Sequence, residues 1–327
     1  MKKRAVLPVA FAALLLAAGA ASARGVWGTA PSLPAPRSAH AVVVASRAIH
    51  VLGGPGTRRV DRFDGRRWRR ETRLPTQAIN APAAVAIQTR IYVLGGFVGT
   101  TNQTTARVSV FDTATKHWTT APPLPAARGG EAAVVLDGKI HVLGGGNDVS
   151  TLADHDVFDP ATGKWAKAAP LPRSEGSPAA VVLGGRIWVI GGRSGFADYG
   201  DTYVYDPAKD SWTSGPRIPP RGTAGAVVWK GSIYVFGGES QARGRVLGDV
   251  FRLAPGASSW RRVGRLPTPR NYARSVVFRG RIYVVGGSRT AGDVHAARGS
   301  RTVEWFRPGT LSTARKRPGA RTGPDSL

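Results

Sequence analysis

Arginine recurs at one place in this chain. Counting sixteen residues back from the first glycine of each of six Gly-Gly pairs reaches Arg37, Ile79, Arg128, Glu175, Arg221 and Arg270. Three positions further on stand His40, Pro82, Glu131, Pro178, Ala224 and Ala273, with Asn80, Asn271 and Tyr272 in between. If these positions share one opening, they form a ring of guanidinium groups with two carboxylates among them. A guanidinium offers a planar fork of donors that grips carboxylate, sulfate or phosphate through two bonds at once. The expected ligand-binding set is therefore Arg37, His40, Asn80, Arg128, Arg221, Arg270, Asn271 and Tyr272.

The elements that must position these residues are written six times. The phrase reads IHVLGG at 49–54, IYVLGG at 91–96, IHVLGG at 140–145, IWVIGG at 187–192, IYVFGG at 233–238 and IYVVGG at 282–287. A period of roughly 40 to 50 residues marks a repeat architecture, whose units bury their apolar faces only by stacking on neighbours. Before each phrase lies a short apolar run, from AVVVA at 41 to RSVVF at 274. The two are separated by turns such as Asp137-Gly138, Lys230-Gly231 and Arg279-Gly280, which predict a tight hairpin. A third strand ends in an aromatic and an aspartate, as at Phe111-Asp112, Phe158-Asp159 and Tyr205-Asp206. Seven residues beyond that aromatic stands Trp118, Trp165 or Trp212, and Trp68 and Trp260 fill the same role across turns of other lengths.

The glycine pair followed by the spaced aromatic and tryptophan resembles the kelch repeat, over nearly all of residues 24–306. Kelch repeats form four-stranded blades around a central channel. The resemblance implies an all-β, six-bladed kelch-type β-propeller. The sixth repeat aligns residues 303–308 as its third strand but has Thr313 where a tryptophan belongs, whereas residues 26–34, beginning Val26-Trp27-Gly28-Thr29, read as an outer strand with no blade before it. The N-terminal strand is therefore expected to complete the last blade and close the ring.

In kelch-like propellers the ligand face is built by loops entering the first strand and leaving the second, which is where the arginine positions fall. The same arginine also has a structural role in such repeats, bonding neighbouring carbonyls beneath the loop. The chain further resembles the secreted sialic acid mutarotases, six-bladed kelch proteins that open and close a sugar ring with an acidic residue beside an arginine. That resemblance implies Glu131 with Arg128 as a catalytic pair, and Glu175 with Arg173 as a second. Galactose oxidase also uses kelch-type blades, but its cofactor requires a cysteine joined to a tyrosine, and this chain has no cysteine. The six histidines are scattered without metal-ligand spacing, so neither metal nor cofactor is expected.

Residues 1–23 run from Met1-Lys2-Lys3-Arg4 through an apolar stretch to Ala21-Ser22-Ala23, the order of a cleavable secretory signal. The mature protein is expected to be secreted or held in the cell envelope, without an integral membrane span. Residues 307–327, rich in Pro, Gly, Ser and basic side chains, read as a disordered tail. Lys and Arg number 46 against 20 Asp and Glu, which favours anionic partners. No stacking platform or recognition helix accompanies that charge, so no specific nucleic-acid partner is expected. Each Gly-Gly pair is explained as a strand end rather than a phosphate loop. The expected function is an exported binding module for a protein or an anionic glycan or envelope polymer, with a carbohydrate-active enzyme such as an N-acetylneuraminate epimerase (mutarotase) as the alternative.

Overall fold

The computed structural model describes residues 25–147, 149–195, 197–292 and 298–309. The proposed signal at 1–23 and all but the first residues of the proposed tail lie outside these. Six four-stranded antiparallel sheets surround an axis, five with their strands in chain order from the inside out and the sixth with the N-terminal strand outermost. Blade 1 is Ala41–Ala45, Ala48–Leu52, Arg59–Phe63 and Trp68–Arg73. The inner strands of blades 2 to 6 are Ala83–Ile87, Ala132–Leu136, Ala179–Leu183, Gly225–Trp229 and Arg274–Phe278. These are the runs expected from the sequence. Their small residues let six strands crowd the axis.

Local chemistry explains each corner. Asp137 and Gly138 have φ of 50° and 75°, both in the left-handed region that a two-residue hairpin turn needs. The aspartate after the third-strand aromatic folds its carboxylate onto the next turn. Asp112 Oδ1 accepts from the Ala114 N–H at 2.8 Å and Asp159 Oδ1 from the Ala161 N–H at 2.9 Å. The aromatic then pairs with its tryptophan across the outer strands, with centroids 5.0 Å apart for Phe111–Trp118 and 4.9 Å for Phe158–Trp165.

The glycine pair joins neighbouring blades. Its second member donates its N–H to a carbonyl of the next blade all the way round: Gly54 to Ile79, Gly96 to Arg128, Gly145 to Glu175, Gly192 to Arg221, Gly238 to Arg270 and Gly287 to Arg37, at 2.8–3.1 Å. The first member must be glycine because a Cβ on Gly144 or Gly237 would lie 2.5 Å from that same neighbouring carbonyl oxygen. The ring closes through Val26–Thr29, which pairs with Val303–Arg307, Trp27 standing opposite Phe306. That third strand of blade 6 runs one residue into the segment assigned from sequence to the tail. Among the described residues no helix is long and apolar enough to cross a membrane.

Candidate functional site

The four arginines do not form a ring around an open mouth. Arg37, Arg128, Arg221 and Arg270 are at most 2% exposed, with their guanidinium groups folded into their own blades. Arg37 bonds Asp61 at 2.7 Å, Arg128 bonds Asp156, and Arg270 bonds Glu304 at 2.5 Å. Each acid lies on the third strand, opposite the penultimate residue of the second strand: Val51, Val142 and Val284. In blade 5 that place holds Phe251, and the Arg221 guanidinium lies 4.5 Å from its ring centroid. Burial draws the Arg221 pKa down to about 10, with Asp249 pulling the other way. The expected anion-binding arginines are corrected to buried fasteners, because their guanidinium groups are turned inward onto carboxylates, carbonyls or, at Arg221, an aromatic ring, and away from the solvent from which a ligand would come.

Two residues beyond these arginine positions the chain enters the left-handed region in every blade, at Ala39, Ala81, Gly130, Ser177, Thr223 and Tyr272, with φ from 41° to 67°. This bend aims consecutive backbones at one another. Ala81 donates to Ala39, Gly130 to Ala81, Ser177 to Gly130 and Thr223 to Ser177, at 2.7–3.1 Å, which makes a collar around the axis. Tyr272 extends from blade 6 across the collar. It packs with Ala39, Ala81 and Phe97 of blades 1 and 2, and its hydroxyl receives Arg193 Nη2 of blade 4 at 2.6 Å. Tyr272 is only 1% exposed.

On the axis lies a cavity of about 170 Å³, lined by residues of all six blades. At one inner-strand position, five blades contribute Ala41, Ala83, Ala132, Ala179 and Gly225, and the sixth contributes Arg274. Glu131 faces the same space; Oε1 accepts from the Ala83 N–H at 3.3 Å, while Oε2 is buried without a hydrogen bond. Burial pushes the Glu131 carboxyl up to about 8 against the opposing pull of Arg128 and Arg274. His40 is fully buried nearby, and burial with Arg274 and Arg37 draws its pKa down to about 3. Glu175, also raised to about 8 by burial, has neither oxygen hydrogen-bonded. Its expected partner Arg173 bonds Asp201 instead, at 2.8 Å. The two sequence-derived acid–arginine pairs therefore do not meet as exposed acid and base.

The accessible surface lies above the collar. A depression of about 630 Å³ spans loops of blades 2 to 5, with Phe97, Asn147, Val149, Ser174, Arg193 and Gln241 in its lining. Val149 on its edge is 91% exposed. Beside it, Arg193 bonds Glu239 at 2.6 Å, and Glu239 also accepts from Asn271 Nδ2 at 2.6 Å and the Gly292 N–H at 3.0 Å. Asn271 and Tyr272 are both buried supports of the loop face. Asn80 is likewise fully buried.

Sequence spacing missed Arg193, Glu239, Phe97 and Arg274. The first three occupy one register, two residues after the first glycine of a pair, where the other blades carry Pro55, Gly146 and Ser288. Arg274 breaks a column of alanines and glycine. Both are departures from the repeat, and comparing the six copies column by column exposes them.

Residues 60–219 match the family model for the KLHDC2/KLHL20/DRC7 kelch-repeats domain, and residues 220–267 and 269–312 match the kelch motif. Kelch-like protein terF of Aspergillus terreus is 30% identical over 147 residues, covering 37% of this chain and 31% of that protein. Kelch-like protein 35 of Mus musculus is 29% identical over 125 residues, covering 36% and 21%. The F-box/kelch-repeat protein At5g03020 of Arabidopsis thaliana is 42% identical over 64 residues, covering 20% and 18%. The chain thus aligns with a third or less of the length of these curated relatives. The solved structure of YjhT superposes with a TM-score of 0.74 at 18% identity, covering 84% of this chain and 95% of YjhT, a likeness of fold.

Proposed function

Because this chain belongs to the kelch-repeat family, we propose that it is an exported binding module whose loop face takes a segment of another protein. The observation that carries this is the depression above the collar. It is broad and open, it combines an aromatic wall at Phe97 and an exposed apolar edge at Val149 with the amides and hydroxyls of Asn147, Gln241 and Ser174, and its walls come from several blades. Apolar anchors amid small polar groups suit an extended peptide, whose side chains need pockets and whose backbone needs donors and acceptors. An anionic glycan is the less favoured ligand, because the arginines expected to grip it are folded inward. The charged start and apolar run of residues 1–23 support export.

Selecting a displayed random-peptide library on the full chain, with Val149→Asp as counter-target, tests this reading. Enriched peptides should bind the wild type and lose about tenfold or more on the variant, the loss of an apolar anchor. Equal binding to both, or no enrichment, overturns it. Fusing residues 1–30 to a periplasmic reporter checks export separately.

A second reading, a sugar mutarotase, has one observation in its favour: Glu131 and Glu175 hold protons near neutral pH, as general acids do. Against it, the cavity beside Glu131 is about 170 Å³, smaller than the roughly 300 Å³ or more of ordinary small-molecule sites. Following N-acetylneuraminate anomer exchange by NMR decides the matter. Acceleration lost in Glu131→Gln or Glu175→Gln would favour the enzyme.

A further inference from the structure

One seam of the ring lacks the fastening found at the others. Trp68, Trp165, Trp212 and Trp260 donate their indole N–H to a main-chain carbonyl of the preceding blade, at 2.7–3.0 Å. Trp118 donates to the Thr72 hydroxyl of blade 1 at 3.2 Å. Trp27 holds the corresponding place in blade 6, yet among the described residues its indole N–H has no hydrogen-bond partner. The strand register shows why. Blades 1 and 5 share a bulge between their third and outer strands, which places Thr72 opposite Val60 and Gly264 opposite Val250. Gly264 therefore stands where Thr72 stands, without the hydroxyl, and a Cβ added there would meet no atom within 4 Å.

The missing side chain leaves a cleft of about 590 Å³ between blades 5 and 6 at the outer edge. Its walls include the rings of Trp27, Tyr234 and Phe306, and Arg252, Arg261, Arg262 and Arg265 also line it. Arg262 is bonded to Asp249 at 2.6 Å and Arg252 to the Ser232 hydroxyl at 3.0 Å. Arg261 and Arg265 have no carboxylate partner among the described residues. No acidic side chain lines the cleft.

Aromatic walls favour a flat apolar body, and free guanidinium groups favour a carboxylate or phosphate. The volume falls within the roughly 300–1,000 Å³ of small-ligand sites. We infer that this cleft binds a flat aromatic anion. The chain's own sequence after Gly309, with Arg315, Lys316 and Arg317, carries the charge of the lining rather than its complement.

Calorimetric titration of the full chain with 1-naphthoate, and with neutral 1-naphthylmethanol, tests the inference. Naphthoate should bind saturably, and the neutral compound about tenfold or more weaker, the contribution of a charge-assisted contact. Gly264→Thr, which fills the cleft and supplies the hydroxyl seen at Thr72, should weaken naphthoate about tenfold without lowering the melting temperature. If Gly264→Thr disturbs the fold, Arg261→Gln with Arg265→Gln decides: it should weaken naphthoate while leaving naphthylmethanol unchanged. No saturable binding, equal affinity for the two compounds, or wild-type affinity in the variants overturns the inference.

Discussion

Replacing Arg270 by methionine separates a fastener from a ligand-binding arginine. The Arg270 side chain makes four bonds at 0% exposure: Nε to the Gly286 carbonyl at 2.8 Å, Nη1 to the Thr268 carbonyl at 2.7 Å and to Glu304 at 2.5 Å, and Nη2 to the Val284 carbonyl at 3.0 Å. Methionine fills most of the volume and makes none of these bonds. Glu304, itself 3% exposed, would keep only the Thr268 hydroxyl at 2.9 Å. Breaking a buried ion pair on one side costs about 3–5 kcal/mol, because the remaining charge is desolvated and unpaired. At about 2–4 °C per kcal/mol for a domain of this size, the melting temperature should fall by about 6–20 °C. Combining Arg270→Met with Glu304→Met should recover most of the loss, since the carboxylate goes too. Thermal denaturation of wild type, both single variants and the double completes the cycle. An Arg270→Met midpoint within about 2 °C of wild type, or single losses that simply add, would refute the assignment and return this arginine to the ligand-binding face.

Four further outcomes follow from the same geometry. Glu131 is protonated in the fold up to about pH 8 but ionises near its ordinary value of 4.5 when unfolded, so its contribution to stability is complete below about 4.5 and lost as pH rises to about 8. Glu131→Gln should therefore match wild type at pH 5 and melt higher at pH 8.5; a pH-independent difference would refute this. His141, drawn down to about 4 by burial and then by His155 and Lys139, works in the opposite direction: stability is lost as pH falls from 6.5 towards 4, and His141→Gln should flatten that acid limb in denaturant titrations. Deleting residues 24–34 removes the outer strand of blade 6, the Trp27–Phe306 contact at 4.7 Å and the buried Leu33, so the whole ring should lose about 4 kcal/mol or more in a single transition rather than fray, as read by calorimetry. Arg274→Ala should be nearly neutral, within about 1 kcal/mol, because among the described residues its guanidinium makes one hydrogen bond, a long one to the His40 carbonyl at 3.4 Å, and a desolvated cation so poorly paired contributes little; a large drop in midpoint would show an attachment that its geometry lacks.

The blade count, the inner strands, the Asp-Gly turns and the N-terminal closure were legible in the sequence because each rests on a local rule: glycine where a Cβ would strike a carbonyl, and alternation where one face is buried. The sixteen-residue count was also right as a register, since the backbone carbonyl at each counted position accepts from a glycine of the preceding blade. It failed on side-chain direction. An arginine at a loop entry can point out to solvent or back into the blade, and the choice depends on a strand 24, 28 or 34 residues downstream that carries Asp61, Asp156 or Glu304. Those acids are visible in the sequence, but their pairing depends on which third-strand residue faces the penultimate residue of the second strand. That is a tertiary register rather than a motif.

The same contrast shows where function is written. Positions that repeat six times hold the ring: the glycine pairs, the collar backbone and the apolar second strands. Glu131, Arg193, Glu239, Tyr272 and Arg274 each stand where the other five copies carry a different residue. A side chain that appears once in six equivalent places has no part in the common packing rule, so the fold does not require its chemistry. Three of these odd positions, Tyr272, Arg193 and Glu239, interlock across blades 4 to 6 with Asn271 at the wall of the open depression. The other two line the axial cavity. The departures thus divide into an axial pair that acts on stability and its pH dependence and an outer set that shapes the loop face. The loop-face reading proposed above therefore rests on the outer set.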